Sequence, residues 1–138
     1  MKLIAIDLGA SYGWCFKHNE YEVSGHAKCV DLLDWGKQFK DLLELWKPEI
    51  VVLSQTNNFG FWNATRSMLM KSGIAFYICG KKGIPGIELN DTQARKAVFG
   101  KAIKKKEAQA IFSGTQADEL DSIILGRGWY LINKNNNG

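Results

Sequence analysis

Histidine is scarce in this chain, with two residues, as are cysteine with three and proline with two. The cysteines, Cys15, Cys29 and Cys79, are odd in number and widely spaced. That excludes a disulfide framework and the usual zinc spacings, and points to reduced thiols in a cytosolic protein. His18 and His26 read as turn residues, so metal chemistry here would have to run on oxygen donors. No apolar run reaches the length of a membrane span, and no signal-peptide pattern opens the chain. Acidic residues are missing from one stretch. Arg95, Lys96, Lys101, Lys104, Lys105 and Lys106 fall within twelve positions with no Asp or Glu. Such a block is either a solvated face or a surface for phosphate backbones.

What is present is a core. The 138 residues are 46% hydrophobic, with five Trp and seven Phe, and suit a single globular domain over 1–138. Leu3 to Ile6 is an aliphatic run of the kind that forms a buried central strand. Asp7 ends it, and Gly9 lets the chain turn into a hairpin strand at Gly13–Phe16. A carboxylate at that place is costly unless something binds it. Asp7 is thus either a metal or phosphate-site residue or the cap of the following turn.

Tyr21–Ser24 reads as an edge strand. Leu32, Leu33, Phe39, Leu42, Leu43 and Trp46 recur at helical spacing, and Pro48 stops that helix. Ile50–Leu53 is a second buried strand, followed by the polar loop Ser54–Gly60. A helix is expected from about Phe61 to Lys71, ended by Gly73, then a strand at Ile74–Ile78. Ile87–Leu89 is a short extension, and Asn90 or Asp91 caps a helix to Phe99. Helices over about 104–112 and 117–132 close the chain. This order makes a mixed α/β sheet with helices on both faces. Sites in such sheets form beyond the carboxyl ends of the central strands. Asp7 and the Ser54-Gln55 pair both fall there.

The last helix adds Asp118-Glu-Leu-Asp121. Residues three apart share a helix face, and like charges there cost stability unless a cation lies between them. They are either two surface acids in a first turn or a pair aimed at Asp7. Leu120, Ile123 and Ile124 make the helix apolar just beyond them, so it packs on the sheet.

Together these stretches resemble the RuvC family of Holliday-junction resolvases, of the ribonuclease-H-like fold. Ile6-Asp-Leu-Gly9 is similar to the family's first-strand aspartate. Val51-Val-Leu-Ser-Gln55 is similar to its fourth strand, which normally ends in glutamate. Arg95–Gly100 with Lys106 matches its basic stretch, and Ala117–Asp121 its closing Asp-x-x-Asp. The resemblance implies a ribonuclease-H-like mixed five-stranded sheet and metal-dependent cutting of four-way junctions and other branched DNA. It also implies a homodimer and a bacterial cytoplasmic setting, with a phage source allowed; the helix Phe61–Lys71, with Ala64 and Met68, is a candidate for the dimer interface.

Asp7, Gln55, Asp118 and Asp121 would then hold two Mg²⁺ ions roughly 3.5–4 Å apart, Mn²⁺ being able to substitute. Lys106 would contact the scissile phosphate. Arg95, Lys96, Lys101, Lys104 and Lys105 would bind DNA, and Phe59 would stack on an unpaired base. The family's glutamate is absent: Gln55 is its neutral near-isostere, and Ser54 would be too short. Gln55 is the expected occupant of that slot, and its missing charge would silence the site. The alternative is a non-catalytic binder of branched DNA on the same fold. Ile6-Asp-Leu-Gly9 also resembles the phosphate loop of actin-like ATPases, but the chain is too short for two such lobes.

Overall fold

In the computed structural model, residues 1–56, 62–101, 103–111 and 117–137 are described. A central strand β1 (Lys2–Asp7) pairs antiparallel with β2 (Ser11–His18), which pairs antiparallel with β3 (Tyr21–Lys28). On its other side β1 runs parallel to β4 (Ile50–Ser54), and β4 parallel to β5 (Gly86–Leu89). The five-stranded sheet therefore has the order β3-β2-β1-β4-β5. Helix α1 (Leu32–Trp46) links β3 to β4, and α2 (Trp62–Lys82) precedes β5. Three helices follow: α3 (Asp91–Phe99), α4 (Lys105–Ile111) and α5 (Ala117–Asn137).

Alternation along the strands sorts the core into two layers. Ile4, Ile6, Val51 and Leu53 point to one face and pack with Trp35, Phe39, Leu42 and Leu43 of α1 and Ala75 and Cys79 of α2. Leu3, Ala5 and Val52 point to the other and pack with Ala94 of α3, Ala108 of α4 and Leu120, Ile124 and Leu125 of α5. Burying each large aliphatic or aromatic side chain stabilises the fold by about 1.5–3 kcal/mol. The α5 layer depends on small residues. A Cβ at Gly13 would lie 1.9 Å from the Asp118 carbonyl oxygen, and one at Gly128 would lie 2.7 Å from the Ala94 Cα. Glycine at 13 thus lets the start of α5 rest on β2.

Helix α1 has the bounds its periodicity predicts. The Asp31 side chain accepts from the Asp34 N–H, and Lys47 closes the helix in the left-handed conformation. Helix α2 does not end at Gly73. Ile74–Ile78 is not a strand but the middle of a helix, and the fifth strand is Gly86–Leu89. Ser72, Ala75 and Cys79 form the buried stripe, while Gly73 lies on the exposed side with nothing near it. A helical glycine costs about 1 kcal/mol relative to alanine, which the packing of so long a helix overrides. Among the described residues no helix is long and apolar enough to cross a membrane.

Candidate active site

Strand alternation also decides which polar groups meet at the sheet's carboxyl end. Asp7 has the parity of Leu3 and Ala5, so it faces α5. Ser54 has the parity of Val52 and faces the same way. The Leu8 N–H donates to Ser54 Oγ at 3.1 Å, and the Ser54 side chain is hydrogen-bonded to the Asp7 carboxyl. Ser54 is buried, at 2% exposure. Gln55 has the opposite parity and is exposed. Its Oε1 accepts from Asn90 Nδ2 at 3.1 Å, which ties it to the cap of α3. The expected place of Gln55 beside Asp7 is therefore corrected to Ser54.

The first turn of α5 carries Asp118 and Asp121 into the same cavity of roughly 350 Å³, together with Asp7, Gly9, Ser11, His26 and Lys105. The two acids have different surroundings. Asp118 is held by three contacts: Ser11 Oγ donates to Oδ2 at 2.7 Å, the Glu119 N–H to Oδ1 at 2.9 Å, and His26 Nδ1 lies 2.5 Å from Oδ1. Burial works to raise the Asp118 carboxyl, but the Ser11 and His26 contacts outweigh it and hold it below its ordinary value. His26 is thus a β3 residue facing this cavity rather than a turn residue. Ser24, also on β3, donates to Glu119 Oε1 at 2.6 Å and pins the same helix start.

Asp121 is 8% exposed, and its Oδ2 has no aligned hydrogen bond. Lys105 Nζ lies 2.9 Å from that oxygen, so the contact is an ion pair approached off the hydrogen-bonding direction. The expectations for the basic stretch shift accordingly. Lys105, not Lys106, enters the site, while Lys106 is exposed, as are Lys96, Lys101 and Lys104. Arg95 is turned inward, its Nε donating to the Ile103 carbonyl at 3.2 Å and Nη2 to Thr92 Oγ1 at 3.3 Å. Phe59 and Phe61 lie outside the described residues.

A fourth acid, unforeseen from the sequence, completes the cluster. Asp91 opens α3 and, with Arg95 and Asp121, lines a narrow crevice behind the cavity. Burial first, then the charges of Asp121 and Asp91, push the Asp7 carboxyl up to about 8; Lys105 and the Ser54 hydrogen bond pull the other way. Burial and Asp121 likewise raise Asp91. Burial alone would lower the Lys105 ammonium, but Asp121, Asp7 and Asp91 together raise it. A larger cavity of about 700 Å³, lined by Met1, Lys17, Glu20, Arg127 and Tyr130, lies at the opposite end of the sheet and away from these acids.

Such a group of crowded acids, with a buried Asp121 oxygen partnered only by the half-exposed Lys105 ammonium, has the donor chemistry of a hard divalent cation site. Among the described residues, no three His, Cys, Asp or Glu side chains already stand at one ligating point. Lys105 is the cation that Asp121, Asp7 and Asp91 share.

Solved structures place this architecture. Thermus thermophilus RuvC superposes with a TM-score of 0.81 at 13% identity, over 99% of this chain and 97% of that one. The chain has the fold of RuvC. The T. thermophilus RuvC complex with Holliday junction substrate gives the same TM-score and identity, over 97% of this chain and 96% of that one. A yeast mitochondrial Holliday junction resolvase shares the fold with a TM-score of 0.61 at 14% identity, over 94% and 77% of the two chains. In sequence, the crossover junction endodeoxyribonuclease RuvC of Thermomicrobium roseum is 34% identical over 76 residues. That match covers 52% of this chain and 45% of the relative, so it spans under half of that protein's length. No protein-family model matches the sequence.

Proposed function

We propose that this chain is a branched-DNA endonuclease of the RuvC type, hydrolysing phosphodiesters at four-way junctions, with an active site weakened by Ser54. The observation that carries the reading is the meeting of Asp7, Asp118 and Asp121 in one cavity on the RuvC fold. Asp7, Asp91 and Asp121 would hold Mg²⁺ or Mn²⁺, and Asp118 would add its carboxylate at the mouth of the cavity. The ion, when bound, supplies an activated water and charge for the leaving oxygen. The chain's own residues do the rest. Lys105 places an ammonium where phosphate charge would gather. Ser11 and His26 fix the Asp118 carboxylate, and the Ser24–Glu119 bond holds the helix start. The exposed Lys96, Lys101, Lys104 and Lys106 track the phosphate backbone, and Phe59 would stack on an unpaired base.

A homodimer suits a two-fold symmetric junction. Trp62, Arg66, Leu69, Gly73, Tyr77 and Gly80 form one exposed stripe along α2, with Trp62 69%, Leu69 50% and Tyr77 66% exposed. That stripe is the proposed partner face. Of the two residues expected there, Ala64 is exposed but Met68 packs against the core.

The second reading, a junction binder that does not cut, draws support from Ser54 itself. A hydroxyl that already accepts from Leu8 and bonds Asp7 brings no charge to the site. Cleavage of four-way junctions in Mg²⁺ and in Mn²⁺ separates the two. The chain as it stands should bind junctions and cut them slowly. Ser54→Glu should speed cutting by at least about tenfold, about 1.4 kcal/mol of barrier, and Gln55→Glu should not. No cutting by any form, with binding intact, would favour the binder.

A further inference from the structure

Resting on the nuclease reading, we infer that Lys71 is a positioning residue for the site, holding from the far side of the sheet the turn that joins Asp7 to Ser11. Asp7 ends β1 and Ser11 opens β2, so the turn Leu8–Ala10 sets the spacing between a cluster acid and the hydroxyl that donates to Asp118. The β1–β2 ladder stops at the Asp7–Gly13 pair, and among the described residues no backbone–backbone hydrogen bond closes the turn. Side chains hold it instead. The Leu8 N–H donates to Ser54 Oγ at 3.1 Å, and Lys71 Nζ donates to the Gly9 carbonyl at 2.6 Å. Gly9 lines the same cavity as Asp7, Asp118 and Asp121. An ammonium on a carbonyl makes a charge-assisted bond, stronger than one between neutral groups.

The clamp has a fixed base. Lys71 lies on α2, which packs with α1 against Ile4 and Ile6, on the sheet face opposite to α5. The Lys71 carbonyl accepts from Trp35 Nε1 at 2.9 Å, and Trp35 is fully buried. The Trp35 ring also meets the ring of Tyr12, next to Ser11, edge-on with centroids 4.9 Å apart. One buried tryptophan thus braces α2 at Lys71 and β2 just past the turn. Leu8 and Tyr12 are buried, but Ala10 is exposed and Gly9 has no side chain, so the Gly9 peptide depends on Lys71 for its place. Among the described residues Lys71 forms no ion pair, so no carboxylate competes for its ammonium. The charges that act on Asp7 are those of Asp121, Asp91 and Lys105. Lys71 therefore reaches the site through the backbone of the turn.

The test compares Lys71→Met with the unaltered full chain. Methionine keeps an apolar stem but cannot donate. Amide hydrogen exchange without metal or DNA reads the turn. The Leu8 amide should exchange at least about tenfold faster in Lys71→Met, while the Ile4 and Ile6 amides within β1 keep their protection. The Ala10 amide shares a peptide unit with the Gly9 carbonyl, so its chemical shift should move as well. Junction cleavage in Mn²⁺ reads the consequence. There kcat should fall at least about tenfold and KM stay within about twofold, because the turn places acids and does not grip DNA. Lys71→Arg keeps a cationic donor and should recover most of kcat. Unchanged exchange at Leu8, or an unchanged kcat where the unaltered chain cuts, would overturn the inference. Exchange that quickens along all of β1 would overturn it too, because Lys71 would then hold the fold as a whole. An unaltered chain that binds junctions without cutting would remove the nuclease reading alone. The exchange comparison needs neither metal nor substrate, and it would still decide the clamp.

Discussion

Asp7→Asn exposes the electrostatic cost of the cluster directly. The Asp7 carboxyl is pushed up to about 8 by burial and by Asp121 and Asp91, against an ordinary value of 3.8 that the unfolded chain keeps. Between about pH 4 and 8 the folded chain therefore holds a proton that the unfolded chain has lost. Stability from this group is complete below about pH 4, declines across that window, and is gone above about pH 8. Each decade of pH between the two values is worth about 1.4 kcal/mol, which sets a ceiling on the order of 5 kcal/mol. Relaxation and water entry at a carboxyl that is partly exposed reduce this to about 2–3 kcal/mol. Asparagine keeps the shape and cannot ionise. In a chain of this size about 1 kcal/mol moves the melting temperature by roughly 3 °C. Asp7→Asn should thus melt about 6–9 °C above the unaltered chain at pH 8.5 and show no such gain at pH 4.5. Asp91 shifts in the same direction and will leave a smaller residual slope in the variant. Asp118 and Glu22 are lowered, so their stabilisation appears above their unfolded values and is lost only in acid, below the window used. Melting curves from pH 4.5 to 9 in EDTA provide the measurement. Parallel curves for the two proteins would refute the account, because Asp7 would then ionise as freely folded as unfolded.

Three further outcomes follow from the same structure. Gly13→Ala forces a Cβ within 1.9 Å of the Asp118 carbonyl oxygen; it should cost about 3 kcal/mol or more and impair cutting, and a melting temperature within a degree or two of the parent would contradict the close approach of α5 to β2. Replacing Lys101, Lys104 and Lys106 by Gln should flatten the salt dependence of junction binding, read as the slope of log affinity against log salt, by up to about one per lysine; an unchanged slope would mean that this face does not touch DNA. Leu69→Asp with Tyr77→Asp should convert the proposed dimer to monomers in sedimentation experiments, and dimers that persist would exclude the α2 stripe as the interface.

Much of this architecture is legible in the sequence because two signals agree. Helix α1 combines an apolar period with a capping Asp31 and a stop at Pro48, and its bounds follow. Strands β1 and β4 are aliphatic runs too short for helices. Helix α2 is different. Gly73 mimics a helix end, and Ile74–Ile78 is as apolar as a strand, yet the residues on both sides continue one helical stripe from Ser72 through Ala75 to Cys79. A glycine on the exposed side breaks nothing, and only the packing against the sheet reveals this. Asp91 was hidden for another reason. It belongs to the cap region of α3, where an acid is expected for helix stability alone, and its role near Asp121 depends on where α3 lands.

The two shifts by one residue, from Gln55 to Ser54 and from Lys106 to Lys105, have different physical causes. On a strand, neighbouring side chains point to opposite faces, so an error of one position moves a group to the wrong side of the sheet. An alternating polar and apolar pattern would set the phase, but β1 and β4 are buried on both faces and carry no such pattern. Their phase is fixed by the helices that cover them. Leu3, Ala5 and Val52 meet α5, so Asp7 and Ser54 must meet it too, while the Gln55 side chain bonds Asn90 at the cap of α3 and stays out of the cavity. At the start of α4 the lysines run in series, and composition cannot say which one the helix turns inward. A glutamate at position 55 would therefore lengthen a side chain that already faces the α3 cap. Charge added at position 54 would enter the cavity beside Asp7. On the proposed reading, slow cutting would come from the absence of a carboxylate at 54, and the neutral amide at 55 would be incidental to it.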